Sequence, residues 1–412
     1  MKTPSVFGKL FLTKTANQKP EGSKKMIRYA SLFSQVLGLF NRSVFQTLAN
    51  KHEMDFASKG FSAWEQFAAM LFCHLAQAKS LREICGGLAC ACGKLRHLGI
   101  KEAPRKSTLS YANANRSWFF YQTLFQDTLG RLRFNRPGHR FRFKNKLLSL
   151  DATVIDLCLS LFPWAKYVQT KGAVKVHLLL DHDGYLPAFA RITDGLTHEV
   201  RIARSLRLGA GSIIVIDRGF TDYSLFGKWC EQGVYFVCPV KSGAQFEIVD
   251  HHEPPKTGNV LMDNLIRLSS AHGQQSCPYL LRHVVVYDQK KDEEIVLLTN
   301  HLGLGATTIS KIYKDRWQIE VFFKELKQHL RVKTFVGTTP NALKVQIWTA
   351  LIAVLVLKYL QMASRFGWSL SQLVALLRMN LLVYRDLWEW ANDPYQTPPP
   401  DPVPEQLCLE GI

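Results

Sequence analysis

The chain has 412 residues, 47% of them hydrophobic and 11% aromatic, enough for two or three packed domains, and this excludes a disordered scaffold. Lysine and arginine outnumber aspartate and glutamate by 52 to 33, a formal net charge of +19. Such an excess favours a polyanionic partner, with nucleic acid ahead of an anionic membrane surface.

The nine cysteines are odd in number and, apart from Cys90 and Cys92, scattered singly without zinc-site spacing. That pattern argues against a disulfide framework and points to a reducing cytoplasm. The most apolar run, Ile347 to Leu357, falls short of the roughly 20 residues that span a bilayer and reads as a buried helix, so no membrane partner is expected.

Residues 1–25 form a basic tail, whose patch Val6 to Leu12 is interrupted by Lys9 and lacks the apolar core of a signal peptide. From Ile27 to about Leu132 the period is helical, as in Phe61, Trp64, Phe67, Ala68, Leu71, Phe72 and Leu75. A short helix at Leu81 to Leu88 is expected to break at Gly86-Gly87. After a turn rich in glycine and basic residues, Ser107 is expected to cap a helix through Leu109, Ala112 and Arg116 to Trp118. Two short helices, with Arg105 and Lys106 ahead of the second, match a DNA-reading helix-turn-helix. An ordinary helical bundle with a basic surface explains the same pattern, and both readings stand.

Arg131 to Lys146 is the densest basic stretch, with aromatics interleaved. Its alternation suits an extended segment whose cations, Arg140 and Arg142, contact phosphates; a solvated linker is the alternative. Beyond it the period becomes that of strands: SLDATVIDL, VKVHLLLDHDG with a turn at Asp183-Gly184, and LPAFARITDG as hairpin partner. A helix near His198 to Leu208, the strand SIIVID, a helix from Tyr223 to Gln232 and the strand VYFVCPVK follow. This order predicts an α/β fold, a mixed sheet covered by helices. The division is a helical DNA-binding domain (26–140), a first part of the core (141–241), a β-rich insertion (242–294), a second part of the core (295–375), and a C-terminal helix with a Pro-rich tail (376–412). The second part holds EIVLLTN, a helix from Thr307 to about Leu330, and an apolar helix from Asn341 to Ala363.

Three acidic residues occupy unusual positions. Asp151 lies within a strand and Asp217 ends the apolar run Ile213 to Ile216; a carboxylate there is costly unless paired, hydrogen-bonded or bound to metal. Asp156, five residues from Asp151, points to the opposite strand face, and Asp222 has the position of a helix cap. On the third helix, at about 100° per residue, Tyr313, Arg316, Glu320 and Lys327 fall within an arc of about 60°. Ile312, Ile319, Phe322, Phe323, Leu326 and Leu330 form the adjoining apolar face. Asp315 falls inside that apolar arc with no explanation in the sequence. A solvated stripe of Arg316, Glu320 and Lys324 is the alternative reading of the charged arc.

The spacing Tyr313, two residues, Arg316, three residues, Glu320, six residues, Lys327 resembles the YREK signature of the insertion-sequence four family of bacterial DDE transposases. SLDATVIDL and IIVIDRGFTDY resemble the blocks around that family's first and second catalytic aspartates, and THEVRIA resembles a further block. The helices over 59–84 and 106–121 resemble the domain preceding the core in one branch. The resemblance implies an RNase-H-like catalytic core in which Asp151, Asp217 and Glu320 hold Mg²⁺, with Mn²⁺ a substitute. It implies that Tyr313, Arg316 and Lys327 touch DNA phosphates. It also implies double-stranded DNA partners (element ends and target), a homodimer on paired ends, and a cytoplasmic, nucleoid-associated bacterial protein that cleaves and rejoins DNA. Some relatives use a Trp of the insertion to hold a flipped base, but none lies between Trp229 and Trp317, leaving Phe246, Tyr279 or Tyr287 as substitutes. A nuclease on the same fold and a catalytically silent DNA-binding descendant are the rivals; a zinc-dependent regulator has no ligand spacing behind it.

Overall fold

The computed structural model describes residues 30–56, 58, 60–131, 138–168, 171–240, 243–255, 258–329 and 335–396. The basic tail, residues 132–137 of the basic stretch, Leu330 and the Pro-rich end lie outside these.

Among the described residues six α-helices come first: α1 (Leu32–Leu37), α2 (Arg42–Lys51), α3 (Ala63–Leu75), α4 (Leu81–Ala89), α5 (Lys106–Asn115) and α6 (Trp118–Arg131). Local chemistry sets several starts. Ser62 and Glu65 close a capping box on α3, and Ser80 caps α4. Helix α4 runs through Gly86-Gly87 rather than breaking there. A Cβ at Gly87 would stand 2.7 Å from the Phe72 ring, so the glycine admits close helix packing instead of ending the helix. Ser107 is not the cap of α5; Arg105 takes that position without a side-chain bond, and the helix stops before Arg116. Residues 90–105, with a 3-10 turn at Leu95–Leu98, separate α4 from α5. That is much longer than the three- or four-residue turn of a helix-turn-helix, so for this pair the bundle reading holds.

The bundle is organised by a later helix, α12 (Pro340–Ala363), with Thr339 as cap and Pro340 in its first turn. It packs on α3, α5 and α6 within one continuous apolar core. Buried His74 Nε2 meets Thr349 Oγ1 at 2.9 Å, and Asn341 Nδ2 donates to the Asn113 and Arg116 carbonyls. By length and apolar composition α12 could cross a membrane, but 83% of its most apolar window is buried inside the protein. Among the described residues two shorter helices follow, α13 (Leu370–Asn380) and α14 (Leu387–Asn392). They return to the N-terminal helices, where Phe33 N bonds to Leu381 O and Gln35 bridges to Arg385 and Leu387.

The sheet begins with β1 (Leu147–Leu157), short β2 (Lys166–Val168), β3 (Lys171–Asp181) and β4 (Leu186–Asp194). Then come α7 (Glu199–Ser205), β5 (Ile213–Ile216), α8 (Tyr223–Glu231) and β6 (Tyr235–Pro239). The insertion supplies β7 (Phe246–His252), β8 (Val260–Leu268), α9 (Ala271–Ser276) and β9 (Leu281–Asp288), and β10 (Glu293–Thr299) re-enters the core. Among the described residues these make one ten-stranded sheet, ordered β2-β3-β1-β5-β6-β10-β9-β8-β7, with β4 also on β3. β1 is antiparallel to β3, and β5 is parallel to both β1 and β6. The order β4-β3-β1-β5-β6 with these directions is the RNase-H-like arrangement. The insertion extends the same sheet, through β9 on β10, rather than forming a separate layer. Gly227 of α8 sits so close to the Ser276 carbonyl of α9 that any side chain there would collide with it.

Strand parity assigns the two faces. Leu148, Leu150, Ile214, Ile216, Phe236 and Cys238 pack toward α7 and α8. Leu147, Ile213, Val215 and Val237 face the other way, toward α10 (Ala306–Asp315). The expected single helix from Thr307 is in fact two, α10 and α11 (Trp317–His329), interrupted at Arg316. Arg316 keeps right-handed helical angles (φ −52°, ψ −31°), so the apolar period carries across the interruption and hides it.

Candidate active site

Parity also gathers the carboxylates. In the β1–β5 ladder Leu150 pairs with Ile216, the last residue of β5, so Asp151 and Asp217 are the next residues of the two chain segments and lie side by side. Both are odd-numbered and belong to the face that α10 covers. Helix α11 packs on β1 and carries Glu320 in its first turn, where the helix dipole favours a negative charge.

Arg316, at the α10–α11 interruption, joins them. Its guanidinium donates to Asp151 Oδ2 at 3.0 Å and to Glu320 Oε1 at 3.0 Å, and lies 5.7 Å from the centre of the Tyr313 ring. Despite the cost of burial, Asp151, Tyr313, Asp217 and Glu320 together hold the Arg316 pKa above its usual value. Burial raises the Tyr313 hydroxyl, against the pull of Arg316. Burial pushes the Asp151 carboxyl up to about 6; the Ala152 N–H and Arg316 oppose this, and Asp217 and Glu320 add to it. Asp151, Ala152, Thr153, Glu320, Phe323, Lys324 and Lys327 line one open groove of about 450 Å³.

The Asp151 carboxyl therefore binds its proton more tightly folded than unfolded, where it titrates near 4. Its contribution to stability is complete below about pH 4 and is lost as pH rises through about 6. Without metal, unfolding by urea should show that loss between pH 4.5 and 6.5, and Asp151→Asn should flatten it. An unchanged slope in the variant would rule the raised carboxyl out.

Three carboxylates form an all-oxygen donor set suited to a hard divalent cation. Among the described residues, no three His, Cys, Asp or Glu side chains already converge at ligand distance. Arg316 explains this, because its guanidinium bridges Asp151 and Glu320 as a cation would. The residues fit a metal once that guanidinium withdraws from one partner.

The remaining candidates are dispersed. Asp156 is exposed on β1, and Asp222 caps α8 through Leu225 N while pairing with Arg204 at 2.6 Å. Arg105 and Lys106 are exposed at the start of α5 and do not line the carboxylate groove. Arg140 and Arg142 lie in a bent rather than extended segment and line a second groove with Phe141, Phe143, Thr308 and Lys311. The two rings stack at 5.3 Å, and Phe141 and Phe143 pack against the α10 core. Arg140 is engaged, 2.6 Å from Asp315. Of the aromatic substitutes, Phe246 lies against His283, Tyr279 packs on the α8 core, and Tyr287 bonds to Asp292; none lines the carboxylate groove. Sequence reasoning passed over Thr153 and Lys311, which nothing in their spacing marks.

Residues 142–356 match the family described as the transposase DDE domain, and residues 28–101 match a domain of unknown function, DUF4372. A protein of Sinorhizobium fredii named for a transposase, y4zB, is 30% identical over 313 residues, 74% of this chain and 84% of that protein. A protein of Geobacillus stearothermophilus, named for the transposase of insertion sequence element IS5377, is 30% identical over 230 residues, 55% of this chain and 60% of its own length. Transposase InsG for insertion sequence element IS4 of Escherichia coli is 24% identical over 37% of this chain and 35% of its own length. The piggyBac transposase synaptic complex with hairpin DNA shares 11% identity at a TM-score of 0.42, covering 89% of this chain and 81% of that one.

Proposed function

The chain belongs to the DDE transposases of insertion sequences, and from that premise we propose that Asp151, Asp217 and Glu320 are the carboxylates with which it cleaves and rejoins DNA. The observation that carries this reading is the shared guanidinium: Asp151 and Glu320, 169 positions apart, both bond to Arg316, and Asp217 lies beside Asp151. A divalent cation held by the three, Mg²⁺ or Mn²⁺ in its place, would supply positive charge to offset that growing on the scissile phosphate.

The chain's own residues do the rest. Arg316 turns from one carboxylate toward a phosphate oxygen, and Tyr313 keeps its guanidinium level. Lys324 and Lys327, on the groove wall, hold the backbone. Water attacks the phosphorus at the element's end; the bond to the 3′ oxygen breaks and leaves a 3′-hydroxyl. That hydroxyl attacks a target phosphodiester, one P–O bond forming for each one broken. Arg142 and Lys311 grip the strand beyond the groove, Arg105 and Lys106 add backbone contacts from the helical body, and two copies act on paired ends.

Incubating the protein with labelled element ends and target DNA tests this, with Mg²⁺ or with EDTA. Cleavage and joining with Mg²⁺ alone support a transposase. Indiscriminate cutting would favour a nuclease, and binding without cleavage a silent descendant. In the same assay Arg142→Gln with Lys311→Gln should lower the slope of log affinity against log salt by about 2. An unchanged slope removes the second groove from the DNA path, and a protein–DNA mass with a single copy removes the dimer.

A further inference from the structure

Asp315 is the last residue of α10 and stands next to Arg316, yet it is 2% exposed and spends its carboxylate elsewhere. One oxygen accepts from His182 Nδ1 at 2.8 Å and from the Tyr185 hydroxyl at 3.3 Å; the other meets the Arg140 guanidinium at 2.6 Å. His182, itself 1% exposed, continues the chain: its Nε2 lies 2.7 Å from the hydroxyl of fully buried Ser149. In the neutral ring with Nδ1 donating to Asp315, Nε2 accepts from Ser149. His182 N also bonds to the Leu147 carbonyl, fixing the ring's backbone to β1.

The two ends of this network abut the carboxylate site. Asp315 adjoins Arg316, and Ser149 is two residues from Asp151 on the same strand. Asp151 and Glu320 belong to different elements, β1 and α11, and Arg316 is the side chain that bonds to both. The position of the α10–α11 interruption over β1 therefore sets how far apart the two carboxylates stand. A buried carboxylate is a costly way to fill this space, and an apolar side chain would continue the helix's stripe.

We propose that Asp315 is a positioning residue: through His182 and Ser149 it clamps the helix interruption onto β1, and so sets the separation of Asp151 and Glu320 at which they share a divalent cation. Arg140 closes the clamp from the solvent side. This rests on the proposed role of those carboxylates. Groups that orient metal ligands from behind are typically worth about 10- to 100-fold in metal affinity or rate.

The test is Mn²⁺ titration of the purified full chain, followed by electron paramagnetic resonance, beside single-turnover cleavage of labelled ends. Asp315→Asn should weaken Mn²⁺ binding and slow cleavage by about 10- to 100-fold. Affinity for end DNA should stay within about twofold and the melting transition should remain cooperative. Ser149→Ala, which removes only the far bond, should move both readouts the same way by less. Wild-type Mn²⁺ affinity in Asp315→Asn overturns the proposal, as does a cleavage loss that merely follows the unfolded fraction. If Asp315→Asn does not fold, Ser149→Ala decides, and wild-type values there overturn it. Failure of the wild-type protein to bind Mn²⁺ at all would instead refute the reading of the three carboxylates.

Discussion

Asp217→Ala is expected to lower DNA cleavage by about 10³-fold or more while leaving affinity for labelled end DNA within about twofold. Asp151→Ala and Glu320→Ala should do the same, by routes that differ in one respect. Removing Asp217 takes away a carboxylate that makes no bond to Arg316, so the guanidinium keeps both partners. Removing Asp151 or Glu320 frees half of the guanidinium, and the fold should tolerate this because the surviving partner still pairs with it. DNA binding survives in all three because each change removes negative charge from a basic protein; affinity should rise slightly if it moves. Single-turnover cleavage and fluorescence anisotropy on the same labelled duplex separate the two quantities. A variant that retained full Mg²⁺-dependent cleavage would not be one of the metal-holding residues. A variant that lost binding as much as cleavage would be a DNA contact or a folding residue instead.

The sheet was legible because strand chemistry is local. Alternation in SLDATVIDL and the apolar run before Asp217 located β1 and β5, and parity put Asp156 on the face opposite Asp151; that Asp217 shares the Asp151 face follows from the β1–β5 register. Asp222 read correctly as a cap for the same reason, since its partner is three residues away. What failed to show were features set by distant residues. Gly86-Gly87 signals a break by propensity, but packing against Phe72 overrides it. The interruption at Arg316 leaves no trace, because its backbone stays in the helical region. Asp315 made no sense inside an apolar arc because its partners, His182 and Arg140, lie 133 and 175 positions away. The central place of α12 in the N-terminal bundle was equally hidden: its apolar period says that it is buried, not by what.

The insertion contains the change with the largest expected cost to stability. Asp263 on β8 and Arg282 on β9 are 3% and 7% exposed and pair through two bonds, Nε to Oδ1 at 2.7 Å and Nη2 to Oδ2 at 2.5 Å. The remaining guanidinium nitrogen donates to the carbonyls of Leu302 and Leu304, in the loop that feeds α10. Arg282→Ala would leave Asp263 buried without a counter-charge and two carbonyls without a donor, and should cost about 3–5 kcal/mol. Arg282→Lys should recover only part of this, since an ammonium cannot reproduce the two parallel bonds and reach the loop as well. Exchanging both partners for apolar residues, Asp263→Leu with Arg282→Met, should restore most of the stability, because the desolvation cost of both ions disappears with the pair. The loop contacts would still be missing, so the double variant should recover its urea midpoint more fully than its cleavage rate. That split follows from position: the loop fixes the start of α10, whose other end carries Asp315 and Arg316. Urea denaturation gives the midpoint and slope, and single-turnover cleavage gives the rate. An unfolding free energy for Arg282→Ala within about 1 kcal/mol of wild type would show the pair to be dispensable. A double variant restored equally in midpoint and rate would sever the link from the insertion to α10.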